Sequence, residues 1–261
     1  MNEIITSLQN PQVKLWRSLN KSRTARVENG LFLAEGEHMA GEALKENKAR
    51  ALLIDGSVRE KFSALADSAK GVSVLYLASH VMEALCDAKT PQGVIAVCDY
   101  PKVAAISGDL LVALDGVQDP GNVGTILRTM DAAGYDCLLM DEKTADPYAP
   151  KALRATMGAA FRIPAVRCAD LPKTLHALAE NGYDIAAGDL RGEPFYSRRK
   201  AKDRLCIVIG NEGQGISPDI LAEATLRLKI PMPGRAESLN AAVAGAVMMY
   251  DFLRERQTAN P

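Results

Sequence analysis

The chain has 261 residues, 48% of them hydrophobic and 24% charged, with a formal net charge of −1. That length favours two domains, each burying its own core, and the balanced charge excludes a bulk basic field, so any nucleic-acid affinity has to come from local patches. No apolar run is long enough to cross a bilayer, and the start MNEIITSLQN lacks the cationic and apolar regions of a secretory signal, so a soluble cytoplasmic protein without membrane contact is expected.

Residues 1 to 26 carry Lys14, Arg17, Lys21, Arg23 and Arg26 against Glu3 alone, which reads either as a solvated face or as a nucleic-acid patch. GLFLAEGEHMAGEALKEN opens as an extended apolar stretch and continues at helical spacing, and RALLIDGS, VSVLYLAS and TPQGVIAVCDYPK read as further strands. Pro101 ends the last of these and AAISGD forms a short linker, which divides the chain into domains 1–102 and 109–261. The cysteines Cys86, Cys98, Cys137, Cys168 and Cys206 are widely spaced among mostly apolar neighbours and read as reduced core residues. His38, His80 and His176 show no metal-ligand spacing, so no metal site is expected.

Beyond the linker, LLVALD, DCLLMD, FRIPAV, YDIAAGD, LCIVIG and LRLKIP read as strands. They alternate with helices expected over 121–133 and 150–157, after Pro172, after Ser217, and over 238–256. This is an α/β pattern, a largely parallel sheet covered on both faces. Arg198, Arg199, Lys200, Lys202 and Arg204 form a second basic run, open to the same two readings as the first.

Polar, glycine-rich segments follow three of these strands, and loops at the carboxyl ends of parallel strands gather on one edge, where ligands bind. In DGVQDPGNVGTILR, Asn122 heads a helix whose free N–H groups suit an anion, and Arg128 stands about one and a half turns further on. Arg128 could reach a phosphate or a reacting hydroxyl, or be an ordinary surface arginine. GNEGQG, residues 210–215, is neither GxGxxG nor a P-loop and suits a flat nucleotide or adenosyl group, with Glu212 beside it. In IPMPGRAESLN, Ser238 is the expected N-cap, and Asn240 should face a polar partner or water. The small residues 241–246 permit close approach of another element, whether by core packing or by self-association.

NVGTILR, GNEGQG and IPMPGRAESLN, in this order and spacing, resemble the three signature motifs of the SpoU/TrmH family of RNA 2′-O-ribose methyltransferases, within the SPOUT superfamily. The likeness covers about residues 109 to 256. NPQVKLWRSLNKSRTARVENGLFLAEGEHMAGEAL resembles the ribosomal-protein-L30e-like substrate-binding domain of the family's ribosomal RNA members, with Arg23, the Phe32–Gly36 stretch and His38 fitting that pattern. Thr125 and Met130 depart from the first motif, where small alanines are frequent.

The resemblance implies a deep trefoil knot in the C-terminal domain, a homodimer through that domain, and S-adenosyl-L-methionine as cofactor. It implies that Gly188, Ile209, Gly210, Glu212, Ile230, Met232 and Leu239 hold the cofactor, and that Asn122, Arg128, Glu212, Ser238 and Asn240 form the catalytic site. Arg128 then either helps to deprotonate the ribose hydroxyl or clamps developing negative charge. Arg23, together with Lys151, Arg154 and Arg162, is expected to contact RNA. Ribosomal RNA is the favoured substrate. Transfer RNA, or a non-catalytic RNA-binding role on the same fold, is the alternative, whereas an oxidoreductase would need a GxGxxG that LLVALDGVQDPGNVG does not supply.

Overall fold

The computed structural model describes residues 4–102 and 105–259. Glu3 and residues 103–104 of the expected linker lie outside the described residues. The chain forms two compact units, one of Met1–Lys102 with Tyr148–Arg162, the other of Val103–Pro147 with Ile163–Pro261.

In chain order the elements up to residue 99 are β1 (Ile4–Ile5), α1 (Pro11–Lys21), α2 (Arg23–Asn29), β2 (Leu31–Glu35), α3 (Glu37–Lys45), β3 (Ala49–Asp55), α4 (Ser63–Ser68), β4 (Ser73–Leu77), α5 (Ser79–Leu85) and β5 (Val94–Asp99). Next come β6 (Leu110–Asp115), α6 (Pro120–Ala133), β7 (Cys137–Met140), α7 (Pro150–Thr156), β8 (Ala165–Arg167) and α8 (Leu171–Glu180). The chain closes with β9 (Asp184–Pro194), β10 (Leu205–Gly210), α9 (Pro218–Glu223), β11 (Leu226–Lys229) and α10 (Ala241–Ala259).

The first unit holds a mixed sheet in the order β1-β4-β3-β5-β2, in which β5 runs antiparallel to both of its neighbours. Val13, Trp16 and Leu19 of α1 recur at helical spacing and pack with Leu33, Leu53 and Ile95 on one face of the sheet. On the other face, Phe32 meets Tyr148 and Phe161 at ring centroid distances of 5.0 and 6.0 Å. Residues 148–162, which the sequence pattern assigns to the C-terminal half, thus supply core to the first unit. FRIPAV was expected to be one strand, but Phe161 ends a 3-10 turn buried in that core, and only Ala165–Arg167 pair as β8.

The second unit is an all-parallel sheet in the order β11-β9-β10-β6-β7-β8. Its central strands are apolar at consecutive positions because helices cover both faces. Leu111, Leu139, Ile185, Cys206 and Val208 point towards Leu171 and Leu175 of α8 and Ile220 of α9, and α6 and α10 lie together on the opposite face. A Cβ at Gly245 would stand 2.4 Å from Ile209 Cδ1, so the small residues of α10 let that helix lie close on β10.

The cysteines are free, four of them buried and Cys86 half-buried. Burial pushes the thiols of Cys86 and Cys137 up to about 12 and about 11, which leaves them protonated and unreactive. No helix among the described residues is long and apolar enough to cross a membrane. Nor is any group of three or more His, Cys, Asp or Glu there arranged to hold a metal ion.

Candidate active site

Helix α6 begins where Asp119 caps the N–H of Gly121 (2.9 Å), with Pro120 in its first turn, and this sets Asn122 on the inner side of the helix, 8% exposed. Asn122 Nδ2 donates to Glu212 Oε1 (2.8 Å), and Asn122 Oδ1 accepts from Asn240 Nδ2 (3.0 Å). Asn240 Oδ1 in turn accepts from the N–H groups of Ala242 (2.9 Å) and Val243 (3.3 Å). The N-cap of α10 is therefore Asn240 and not Ser238, so one amide both caps the helix and, of the two surroundings expected for it, meets a polar partner. Ser238 stands two residues earlier, exposed in the preceding loop.

The N–H groups of Gln118 and Asp119 point at the Glu212 carboxylate, each at 3.4 Å. Desolvation pushes the pKa of Glu212 up, but the hydrogen bonds from Asn122 and from main-chain N–H groups outweigh it and hold the carboxyl below its usual range. At neutral pH the network therefore carries a fixed negative charge.

Beside this network lies a cavity of ≈ 370 Å³ at the carboxyl ends of β10 and β11 and the middle of β9. Gly188, Ile209, Gly210, Glu212, Ile230, Met232 and Leu239 all line it, as does Ser238. A Cβ on Gly210 would meet the main chain of Gly215 at 2.4 Å, so only glycine lets the 210–215 loop fold back and bridge Asn211 to Gly215. Arg128 is not among the lining residues; it is exposed on α6, and its side chain makes no hydrogen bond or ion pair with any described residue.

Sequence reasoning missed the residues that hold these loops. Asp141, just past β7, accepts at Oδ1 from the N–H of Gly116 (3.0 Å), the N–H of Thr144 (2.9 Å) and Thr144 Oγ1 (2.6 Å). Asn211 Nδ2 donates to the carbonyl of the same Gly116 (2.7 Å), and Ala145 N–H reaches Val117 O (3.0 Å). Arg167 bridges the carbonyls of Asp141 and Thr144. Only the turn signals around Asp141 and Gly116 hinted at such a role, because the partners are far apart in sequence.

The RNA-contact candidates are placed less favourably. Arg154 pairs with Asp87 (2.7 Å) and lies 4.0 Å from Glu35, and Arg162 pairs with Glu42 and Glu46 (3.9 Å), all within the first unit. Lys151 is exposed on α7 and Arg23 at the head of α2. Arg26 is buried, with Nη1 on the carbonyl of Leu19. In the second basic run, Arg198 lies between the rings of Phe195 and Phe252 (4.5 and 4.1 Å) and pairs with Asp251 and Glu255. Arg199 grips the buried Asp184 with two bonds of 2.7 and 2.8 Å, Lys202 stands 3.9 Å from the same carboxylate, and Arg204 stacks on Tyr183 and pairs with Asp109. That run is internal bracing, and the solvated-patch reading of it applies to Lys200.

Residues 109–250 match the sequence model of the SpoU rRNA Methylase family, and residues 10–96 match that of the MRM3-like substrate binding domain. The chain is also 34% identical to the 23S rRNA (guanosine(2553)-2′-O)-methyltransferase RlmP of Bacillus subtilis, over 94% of this chain and 97% of that one. The chain belongs to the SpoU rRNA methylase family. Among solved structures, this SpoU methylase is similar to AviRb of Streptomyces viridochromogenes in complex with AdoMet, with a TM-score of 0.85 and 28% identity over 96% of this chain and 99% of that one. It is likewise similar to the AdoMet-bound rRNA methyltransferase of Sinorhizobium meliloti, with a TM-score of 0.83 and 32% identity over 97% of each chain. The second and third motifs of this SpoU methylase thus line its cavity, and the first, at the start of α6, joins them through the polar network of Asn122.

Proposed function

We propose that this SpoU methylase uses S-adenosyl-L-methionine to methylate a ribose 2′-hydroxyl of ribosomal RNA in the cytoplasm. The observation that carries this reading is the convergence of the three motifs on one edge of the parallel sheet, where the Asn122–Glu212–Asn240 network borders the cavity.

The cavity suits the cofactor. Its volume falls in the range of small-molecule sites, and Ile209, Ile216, Leu228, Ile230, Met232 and Leu239 offer apolar contact to an adenine. Asp189, Glu212 and Glu237 line it against Lys229 alone, a net negative wall that favours a ligand carrying a sulfonium and an ammonium against one carboxylate. When bound there, the cofactor supplies an electrophilic methyl group. The chain's own task is to orient the ribose and to accommodate the charge left as its hydroxyl loses a proton. Glu212, fixed by Asn122 and two main-chain N–H groups, orients the polar edge, and Arg128, whose side chain has no partner among the described residues, stabilises developing negative charge on the ribose oxygen or the adjacent phosphate.

The reading includes a homodimer. Val243 and Tyr250 of α10 are each 49% exposed, and Val247 and Leu253 continue the same apolar stripe on a helix that already packs inward through its other face. A trefoil knot formed by α10 belongs to the same reading, as does a role for Arg23, Lys151, Arg154 and Arg162 near the RNA, the last two after exchange of their present carboxylate partners for phosphates. The reading is tested by incubating the protein with methyl-labelled S-adenosylmethionine and separated, unmodified ribosomal and transfer RNA, then mapping label to ribose or base. Ribose label in ribosomal RNA is expected. Label in transfer RNA alone, or cofactor binding without transfer to any RNA, overturns it.

A further inference from the structure

The basic groups of this protein differ in what they are attached to. Arg198, Arg199, Lys202 and Arg204 are held by internal partners, as are Arg154 and Arg162. Helix α1 is the contrast. Its sequence PQVKLWRSLNK contains no acidic residue, and Val13, Trp16 and Leu19 bury one side of it. Lys14, Arg17 and Lys21, at i, i+3 and i+7, fall together on the other side. Lys14 and Lys21 are exposed and Arg17 half-exposed, and none of the three makes a side-chain hydrogen bond or ion pair with a described residue. Glu83 of the adjacent α5 is exposed and does not pair with them.

We infer that the Lys14–Arg17–Lys21 face of α1 is a docking surface for the phosphate backbone of the RNA substrate. The inference rests on the proposed RNA substrate and assigns part of its grip to one helix. Three unpaired cations along about 10 Å of a rigid helix form a row that can contact successive phosphates, and like charges left unneutralised on one face are relieved by an anionic partner. An anchored helix is a better platform for this than a loop, because Trp16 and its neighbours already hold α1 on the sheet. Such contacts position the RNA without reading its sequence.

The test is the triple variant Lys14→Gln, Arg17→Gln, Lys21→Gln, in which glutamine keeps helix propensity and removes charge. Binding to an unmodified transcript of large-subunit ribosomal RNA is measured across a salt series. A charge-matched control, Lys48→Gln, Arg59→Gln, Lys70→Gln, alters other exposed cations of the same unit. The α1 variant is expected to weaken RNA binding at least about tenfold near 0.1 M salt and to lower the slope of log K against log salt by about 2. The control should move neither, and both variants should keep wild-type cofactor affinity and thermal midpoint. An α1 variant with wild-type affinity and salt slope overturns the proposal, and so does a control that weakens binding equally. Binding is read without turnover, so a wild-type protein that holds RNA but transfers no methyl group counts against the proposed reaction while the surface is judged on the binding data.

Discussion

The polar edge of the second unit and the basic face of α1 dispose their polar side chains in opposite ways. At the edge, Asn122, Glu212 and Asn240 bond to one another, and Asp141 and Asn211 hold the main chain of Gly116, so the groups are fixed before any ligand arrives. On α1 the cations have no side-chain partners among the described residues. A site that has to stabilise charge at one atom benefits from preorganisation, because nothing need reorient as the reaction proceeds. A surface that tracks a flexible polyanion needs available charge more than fixed geometry. Arg128 shares features of both, sitting on a rigid helix yet with no side-chain partner among the described residues.

The sharpest way to break the comparison is Arg128→Ala. Turnover is expected to fall by a factor on the order of 10² to 10³, in line with loss of one preorganised electrostatic group. Because Arg128 does not line the cavity, cofactor affinity measured by calorimetry should stay within about twofold. Arg128→Lys should recover little, since lysine lacks the planar fork. A matched loss of cofactor affinity would place Arg128 in the cofactor site instead.

Phe161→Ala examines the unit that carries α1. Phe161 is 7% exposed against Phe32, so truncation should cost about 3 kcal/mol of stability in denaturant titration. Unchanged stability would mean that residues 148–162 are not part of that core.

Asp141→Ala tests preorganisation directly. Gly116 N–H would lose its acceptor, the 116–119 loop would relax, and the two N–H groups aimed at Glu212 would move with it. The expected result is a roughly tenfold lower kcat, rescue in Asp141→Asn, and no further loss when Asp141→Ala is added to Glu212→Ala, since coupled residues are non-additive. Full additivity in that cycle would reduce Asp141 to a structural role.

The smallest effect concerns acid. For Asp184, desolvation raises the pKa, but the bonds from Arg199, Lys202 N–H and Thr225 outweigh it and hold the carboxyl below its usual range. A carboxyl depressed in the folded state contributes stability that is present above its unfolded pKa and is lost as pH falls through the folded one. Asp184→Asn should therefore flatten the decline of stability below about pH 4, as followed by urea midpoints. An acid limb as steep as that of the wild type would assign the decline to other carboxylates.

Much was legible in the sequence because it depends on local chemistry. The strands from β2 onward and the helices of the second unit followed from the apolar runs and turn residues, whereas α1, α2, α4 and α5 did not, and two of the three motifs behind strands line the cavity, since the carboxyl ends of parallel strands converge by construction. Composition also determined that any grip on nucleic acid would be local. What only the tertiary structure decided lies in pairings distant along the chain. Phe161 and Tyr148 turned out to complete the core under Phe32, Asn240 and not Ser238 caps α10 because Asn122 holds its amide, and Asp141 and Asn211 meet at Gly116. The same applies to the basic residues. A run of cations reads alike whether it is solvated or braced, and only packing reveals that Arg198 and Arg199 have internal partners while Lys14, Arg17 and Lys21 have none among the described residues, because a carboxylate that neutralises an arginine can come from anywhere in the fold.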